Sequence, residues 1–149
     1  MIQKEVMTTR LKDIKNYLSE METIFESAKD EREIVQSFTT LRALERDFQL
    51  IVDTMIDINT HIISREGLRV TDDFQSTFEV LGENKILPLH FALRIAPVVG
   101  LRNMIVHKYG KVDQKKFVNE LRKGFQDFEK YIQYLQKWMK RSPKRTPKQ

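Results

Sequence analysis

The chain has 149 residues and a net charge of +5, which is the size of one domain able to bury its own core. The absence of cysteine excludes disulfide bonds, thiolate catalysis and zinc-thiolate sites, and it suits a reducing cytoplasm. No apolar run approaches the roughly 20 residues of a membrane span, and the first five residues lack the order of a signal peptide. We therefore expect a soluble cytoplasmic protein with no membrane contact.

The first half of the chain has the apolar spacing of long helices. Steps of four and three residues predict a first helix with one apolar face, formed by Met7, Leu11, Ile14, Leu18, Met21 and Phe25. Asp30 and Glu33 form a capping-box pattern, so this helix should end near Ala28 and a second should begin at about Glu31. The second helix should run to about Ser64, before Gly67, with a stripe of Ile34, Phe38, Leu41, Leu44, Phe48, Ile51, Met55, Ile58 and Ile62.

The second half contains shorter predicted elements and one last long helix. Residues 71–73 should open a short third helix through Phe74, Phe78 and Leu81, closed by Gly82. Pro88 should begin a fourth helix with a kink or a new start at Pro97, and Gly110 should end it. Asp113 should cap the last helix, whose stripe is Phe117, Leu121, Gly124, Phe128, Tyr131, Leu135 and Trp138.

These elements predict an all-α, up-and-down bundle of about five helices, three long and two short. We assign residues 1–140 to one helical domain and residues 141–149 to a basic, disordered tail. Charge is unevenly distributed: residues 1–101 hold 12 Lys/Arg and 17 Asp/Glu, whereas residues 102–149 hold 14 and 4. A positive field over the second half is suited to a polyanionic partner.

The boundary between these halves carries a polar cluster of Arg102, Asn103, His107 and Tyr109. A guanidinium binds phosphate through paired hydrogen bonds, and an imidazole transfers protons near neutral pH. Asn103 and His107 share a helix face, but Arg102 and His107 lie about 140° apart on an ideal helix. The site therefore requires local unwinding, a wrapped Arg102 side chain or a second chain across a dimer axis. On spacing alone, a structural interpretation is equally good, with His107 capping the helix and Tyr109 packed as an ordinary aromatic.

The four residues also match the Arg-x4-His-x-Tyr signature, with Asn after the Arg, and the chain resembles HEPN-domain proteins of the HepT-like toxin family. Three further segments resemble that family's layout: Asp57-Ile58-Asn59-Thr60-His61-Ile62, the helix from Pro88 to Val99, and Val112-Asp113. The basic tail and Pro97 depart from it.

The resemblance implies a toxin that is a metal-independent endoribonuclease, restrained by an MntA-like nucleotidyltransferase antitoxin. It implies catalytic roles for Arg102 and His107, support from Asn103, adenylylation of Tyr109 by the antitoxin, and a homodimer with facing motifs. The RNA would be cut by attack of its 2′-hydroxyl, with no cofactor. Lys108 and Lys111 would contact the RNA backbone.

Spacing by four residues also places Asp53, Asp57 and His61 on one face of the second helix, where they could hold a metal ion. We favour instead an ion pair between Asp57 and Arg102, and we assign no metal site. Two further functions stay open. The chain could be a catalytically silent helical adaptor for a nucleotidyltransferase, or a basic nucleic-acid-binding module.

Overall fold

The structure is a computed structural model that describes residues 3–107 and 113–141. Across these two ranges it contains helices and no strand. The helices are α1 (Lys4–Ser27), α2 (Glu31–Gln36), α3 (Phe38–Arg65), α4 (Gln75–Glu83), α5 (Leu89–Ile95), α6 (Val98–His107) and α7 (Gln114–Arg141). The predicted all-α bundle is confirmed, including its three long helices, which are α1, α3 and α7.

The predicted apolar stripes form the core. All six stripe residues of α1 are buried, and α1 packs along α3. Phe48 of α3 lies at the centre, with its ring centroid 5.4 Å from that of Phe117 and 6.4 Å from that of Phe128, both on α7. A period of 3.6 residues fixes which face of a helix is apolar, so the sequence predicted this core well.

The predicted second helix is divided at Ser37, which adds an element that we did not expect. The Ser37 hydroxyl accepts a hydrogen bond from the Thr40 backbone N–H at 3.3 Å, and the Ser37 N–H donates to the Ile34 carbonyl at 3.2 Å. Serine thus ends α2 and caps α3 at the same residue. The assignment of Phe38 to the core is wrong, because this side chain is 70% exposed.

Two glycines take different roles. Gly67 has φ +66° and lies just beyond α3, as expected for a residue that ends a helix. Gly82 is buried inside α4, which ends one residue later, at Glu83. A β-carbon at position 82 would lie 2.8 Å from the β-carbon of Ala92 on α5. The missing side chain therefore allows α4 and α5 to pack closely.

The segment from Leu89 to His107 is broken at Pro97, as predicted: α5 ends at Ile95 and α6 begins at Val98. Contrary to our expectation, this 19-residue segment is long and apolar enough for a membrane span, with a mean hydropathy of 1.3. Six of its residues nevertheless belong to the bundle core, namely Phe91, Ala92, Ile95, Ala96, Val99 and Ile105. Part of its apolar character therefore serves packing of the bundle, whereas Leu89, Leu93 and Met104 are exposed.

The last helix begins as predicted, because the Asp113 carboxylate accepts a hydrogen bond from the Lys116 backbone N–H at 3.0 Å. Gly110 lies outside the described residues. Helix α7 continues to Arg141, and residues 142–149 also lie outside the described ranges, so the basic tail stays a prediction.

Candidate functional site

A cleft of about 630 Å³ lies between α3, α6 and the residues that precede α4. It is lined by Asp53, Ile56, Asp57, Phe74, Arg102, Asn103 and His107. Four predicted site residues are thus brought together: Asp57, Arg102, Asn103 and His107. Arg102 and His107 line the cleft of a single chain, so their angular separation on the helix does not by itself demand a second chain.

The position of Arg102 is set by Asp53, not by Asp57 as we predicted. The Arg102 Nε donates to Asp53 Oδ1 at 2.8 Å, and Arg102 Nη1 donates to Asn103 Oδ1 at 3.2 Å. Asp57 instead pairs with Arg10 of α1 at 3.3 Å. Both aspartates lie on the same face of α3, one turn apart. Sequence spacing predicted that face of α3. The position along α3 at which α6 crosses it decides which of the two carboxylates Arg102 contacts.

This arrangement leaves part of the guanidinium available to a ligand. Arginine has five N–H donors in a planar fork. Within residues 3–107 and 113–141, the hydrogen bonds of Arg102 use Nε and Nη1, so the Nη2 group is left to donate to an anion. The side chain is 22% exposed, which combines partial desolvation with access from solvent. Among the described residues, Asp53 and Asn103 therefore hold the guanidinium in place without occupying all of its donors, and a guanidinium is a group suited to phosphate.

His107 is the last residue of α6 and is exposed at the cleft. Tyr109, Lys108 and Lys111 follow it and lie outside the described residues. Their predicted roles therefore stay predictions.

Each member of the possible metal face on α3 has a protein partner. Asp53 binds Arg102, Asp57 binds Arg10, and His61 Nε2 accepts a hydrogen bond from the Gln3 backbone N–H at 3.2 Å. Burial, together with the charges of nearby Arg65 and Arg10, lowers the pKa of His61. Within residues 3–107 and 113–141, no three His, Asp or Glu side chains cluster closely enough to hold a metal ion.

Two features of the site were missed by sequence reasoning. Asp53 was not predicted as the partner of Arg102, although its i, i+4 relation to Asp57 made it an equal candidate. The apolar spacing assigns Phe74 to the stripe of the third predicted helix, whereas its side chain is 59% exposed at the cleft. Its position directly after Asp73, whose carboxylate accepts a hydrogen bond from the Ser76 N–H, was the available signal that it precedes the helix.

The chain is similar in sequence to a known protein family and to individual nucleases of that family. The family model described as "Ribonuclease HepT-like" matches residues 11–135. A tRNA nuclease HepT from Aphanizomenon flos-aquae (strain 2012/KM1/D3) is 31% identical over 140 residues, which cover 93% of this chain and 92% of the relative. An mRNA nuclease HepT from Shewanella oneidensis is 22% identical over 131 residues, which cover 88% and 96% of the two chains.

Solved structures share the fold. The tri-AMPylated Shewanella oneidensis HEPN toxin, determined in complex with an MNT antitoxin, matches with a TM-score of 0.82 and 20% identity, over 91% of this chain and 99% of that one. The cytosolic protein YutE from Bacillus subtilis, of unknown function, matches with a TM-score of 0.81 and 13% identity, over 98% and 96% of the chains. By the extent of the family match and of the sequence identity, this chain belongs to the ribonuclease HepT-like family.

Proposed function

We propose that this protein is a toxin endoribonuclease that cleaves RNA, without a metal ion, in the cleft between α3 and α6. The observation that carries the proposal is the position of Arg102, which Asp53 orients in the same cleft as His107. The names of the curated relatives, tRNA nuclease and mRNA nuclease, support RNA as the substrate. These two names differ in the RNA that is cut, and the proposed substrate class is RNA.

The proposed reaction is an internal transfer of the phosphodiester. The RNA 2′-oxygen attacks the adjacent phosphorus while the bond from phosphorus to the 5′-oxygen of the next nucleotide breaks. The 2′-hydroxyl loses a proton and the leaving 5′-oxygen gains one; His107 transfers the proton at one of these oxygens and water transfers it at the other. The Nη2 group of Arg102 stabilises the negative charge that develops on the phosphoryl oxygens. Asn103 supports the guanidinium through its Oδ1 atom. The products are a 2′,3′-cyclic phosphate and a 5′-hydroxyl.

Control by a nucleotidyltransferase antitoxin is the second part of the proposal. The structurally similar HEPN toxin is tri-AMPylated and bound to an MNT antitoxin, which supports an MntA-like partner here. Tyr109 lies two residues after His107. AMP on its phenol would place a bulky anion beside the cleft, where it would exclude RNA by volume and by charge. We also propose a cytoplasmic homodimer, with Lys108 and Lys111 against the RNA backbone.

The test is expression of wild type and single variants in bacteria without the antitoxin, followed by measurement of growth and of RNA integrity. Arg102→Ala and His107→Ala should each lose roughly 10²-fold or more in cleavage rate and should relieve toxicity. His90→Ala and Arg69→Ala are matched controls, because both residues are exposed and neither lines the cleft. They should behave as wild type.

Purified protein provides the chemical test. Cleavage should persist in EDTA and should stop when the cleaved position carries a 2′-deoxyribose. Continued cutting of the deoxy substrate would contradict the mechanism. If Arg102→Ala and His107→Ala leave the cellular effect intact, the chain is instead a silent adaptor. If removal of residues 142–149 matters more than either substitution, it is a basic nucleic-acid-binding module.

A further inference from the structure

Phe74 is an exposed aromatic residue in a cleft that otherwise consists mainly of polar side chains. It is 59% exposed and lines the same cleft as Arg102 and His107. It precedes α4 at the N-cap position, and so it leaves the apolar face on which Phe78 and Leu81 are fully buried. The sequence prediction that Phe74 belongs to this stripe is therefore wrong.

The backbone around Phe74 is fixed by short hydrogen bonds. The Phe74 carbonyl accepts from the Thr77 hydroxyl at 2.6 Å and from the Thr77 N–H at 3.2 Å. One residue earlier, the Asp73 carboxylate accepts from the Ser76 N–H at 2.9 Å, and the Asp73 carbonyl accepts from the Thr71 hydroxyl at 2.9 Å. Phe74 is thus presented to solvent by an ordered turn.

A buried polar network extends this support into the core. The Thr77 hydroxyl accepts from Asn59 Nδ2 at 3.1 Å, and Asn59 Oδ1 accepts from the Tyr131 hydroxyl at 2.7 Å. Asn59 and Tyr131 are fully buried, and Thr77 is 4% exposed. We define Tyr131, Asn59, Thr77 and the Phe74 carbonyl as the buried relay. It ties the position of Phe74 to α3, α4 and α7 together.

We propose that Phe74 is a stacking platform for one nucleobase of single-stranded RNA, next to the phosphate held by Arg102. This inference rests on the proposed ribonuclease function. An aromatic face can stack on any base, and such contacts recur wherever proteins bind unpaired RNA. The surroundings favour RNA over a protein partner, because the cleft is concave and its lining includes the polar residues Arg102, Asn103 and His107. A base that stacks on the Phe74 ring has to leave the RNA helix, so the platform directs cleavage to unpaired segments.

The experiment compares Phe74→Leu, which keeps apolar area, with Phe74→Tyr, which keeps the aromatic face. The probe is a random-sequence, single-stranded 20-nucleotide RNA, and binding is measured in a His107→Ala background so that it is not cut. Stacking contributes about 1–3 kcal/mol per base, so Phe74→Leu should weaken RNA binding roughly 5- to 150-fold. Phe74→Tyr should stay within about 3-fold of its parent. Val70→Ala is the control, because Val70 is 84% exposed and does not line the cleft.

Three outcomes would overturn the inference. Equal RNA binding by the Phe74→Leu and parent proteins would show that no base stacks there. Equal loss in Phe74→Leu and Phe74→Tyr, with unchanged melting temperatures, would exclude an aromatic requirement. Unchanged RNA binding with weaker association of the nucleotidyltransferase would make Phe74 a protein contact. In each case, loss of cleavage in Arg102→Ala and His107→Ala would still support the proposed ribonuclease, so failure of one proposal is distinguishable from failure of the other.

Discussion

Replacement of Asp53 by asparagine tests whether the orientation of Arg102 matters for catalysis. In the wild type, Arg102 Nε lies 2.8 Å from Asp53 Oδ1. Asparagine keeps an oxygen that can accept the hydrogen bond from Nε, but it removes the negative charge. The Asp53 side chain is 36% exposed, so solvent screens the pair, and the loss of folding stability should stay within about 1 kcal/mol. The effect on catalysis should be larger, because a guanidinium that is held less firmly, by a neutral acceptor, must be ordered during the reaction.

We expect kcat of Asp53→Asn to fall about 10- to 100-fold, which corresponds to roughly 1.4–2.7 kcal/mol of transition-state stabilisation. KM should stay equal or fall, because removal of a negative charge from the cleft favours the RNA polyanion. The assay is steady-state cleavage of a fluorophore-quencher RNA, with the melting temperature measured for each protein. A residue with only a structural role would lower the melting temperature and the active fraction and would leave kcat per active molecule unchanged.

Asp57→Asn is the matched control, because Asp57 lies one turn from Asp53 and lines the same cleft. Its ion pair with Arg10 is exposed, at 40% for Arg10 and 59% for Asp57, and is therefore weak. Its kcat should change by less than about 3-fold, since it does not hold Arg102. Equal kcat for Asp53→Asn and wild type, or an equal fall in both variants, would refute the assignment of Arg102 to Asp53.

Two further predictions concern stability. Burial, and then the neighbouring carboxyl of Glu20, raises the pKa of Asp47 to about 7. The folded state therefore binds more protons than the unfolded state between about pH 4 and pH 7. Its free energy of unfolding should fall as the pH rises through that interval. In urea titrations, Asp47→Asn should gain about 1–3 kcal/mol relative to wild type by pH 8, and a difference that does not vary with pH would contradict this. Gly82→Ala should cost about 1–3 kcal/mol, because its β-carbon would lie 2.8 Å from that of Ala92. Gly124→Ala, on an open part of α7, should instead raise the melting temperature, and an equal response of the two glycine variants would contradict the packing argument.

Periodicity predicted the parts of the fold that depend on which side of a helix faces the core. The α1 stripe is buried at every position from Met7 to Phe25, and the capping patterns at Asp30 and Asp113 act as expected. The break at Ser37 was missed, because apolar spacing continues across it and serine is also tolerated within helices. Local composition did not distinguish a capping serine from an interior one.

The site shows a similar boundary between what sequence can and cannot predict. The motif predicted that Arg102, Asn103 and His107 act together, and the structure places them on one cleft. The choice between Asp53 and Asp57 depends on how far α6 is displaced along α3. That displacement is set by packing of the whole bundle, so no local pattern reveals it.

The buried relay constrains how this chain can change over evolutionary time. Loss of the Tyr131 hydroxyl alone would leave Asn59 Oδ1 without its 2.7 Å donor in a fully buried place, at a cost of about 1–3 kcal/mol. Replacement of both Tyr131 and Asn59 by apolar residues of similar shape can be nearly neutral, because no buried polar group is then left without a partner. Among homologues, positions 59, 77 and 131 should therefore be polar together or apolar together. A lineage that abandons the set would lose the anchor of Phe74 and would have to find another means of holding that turn.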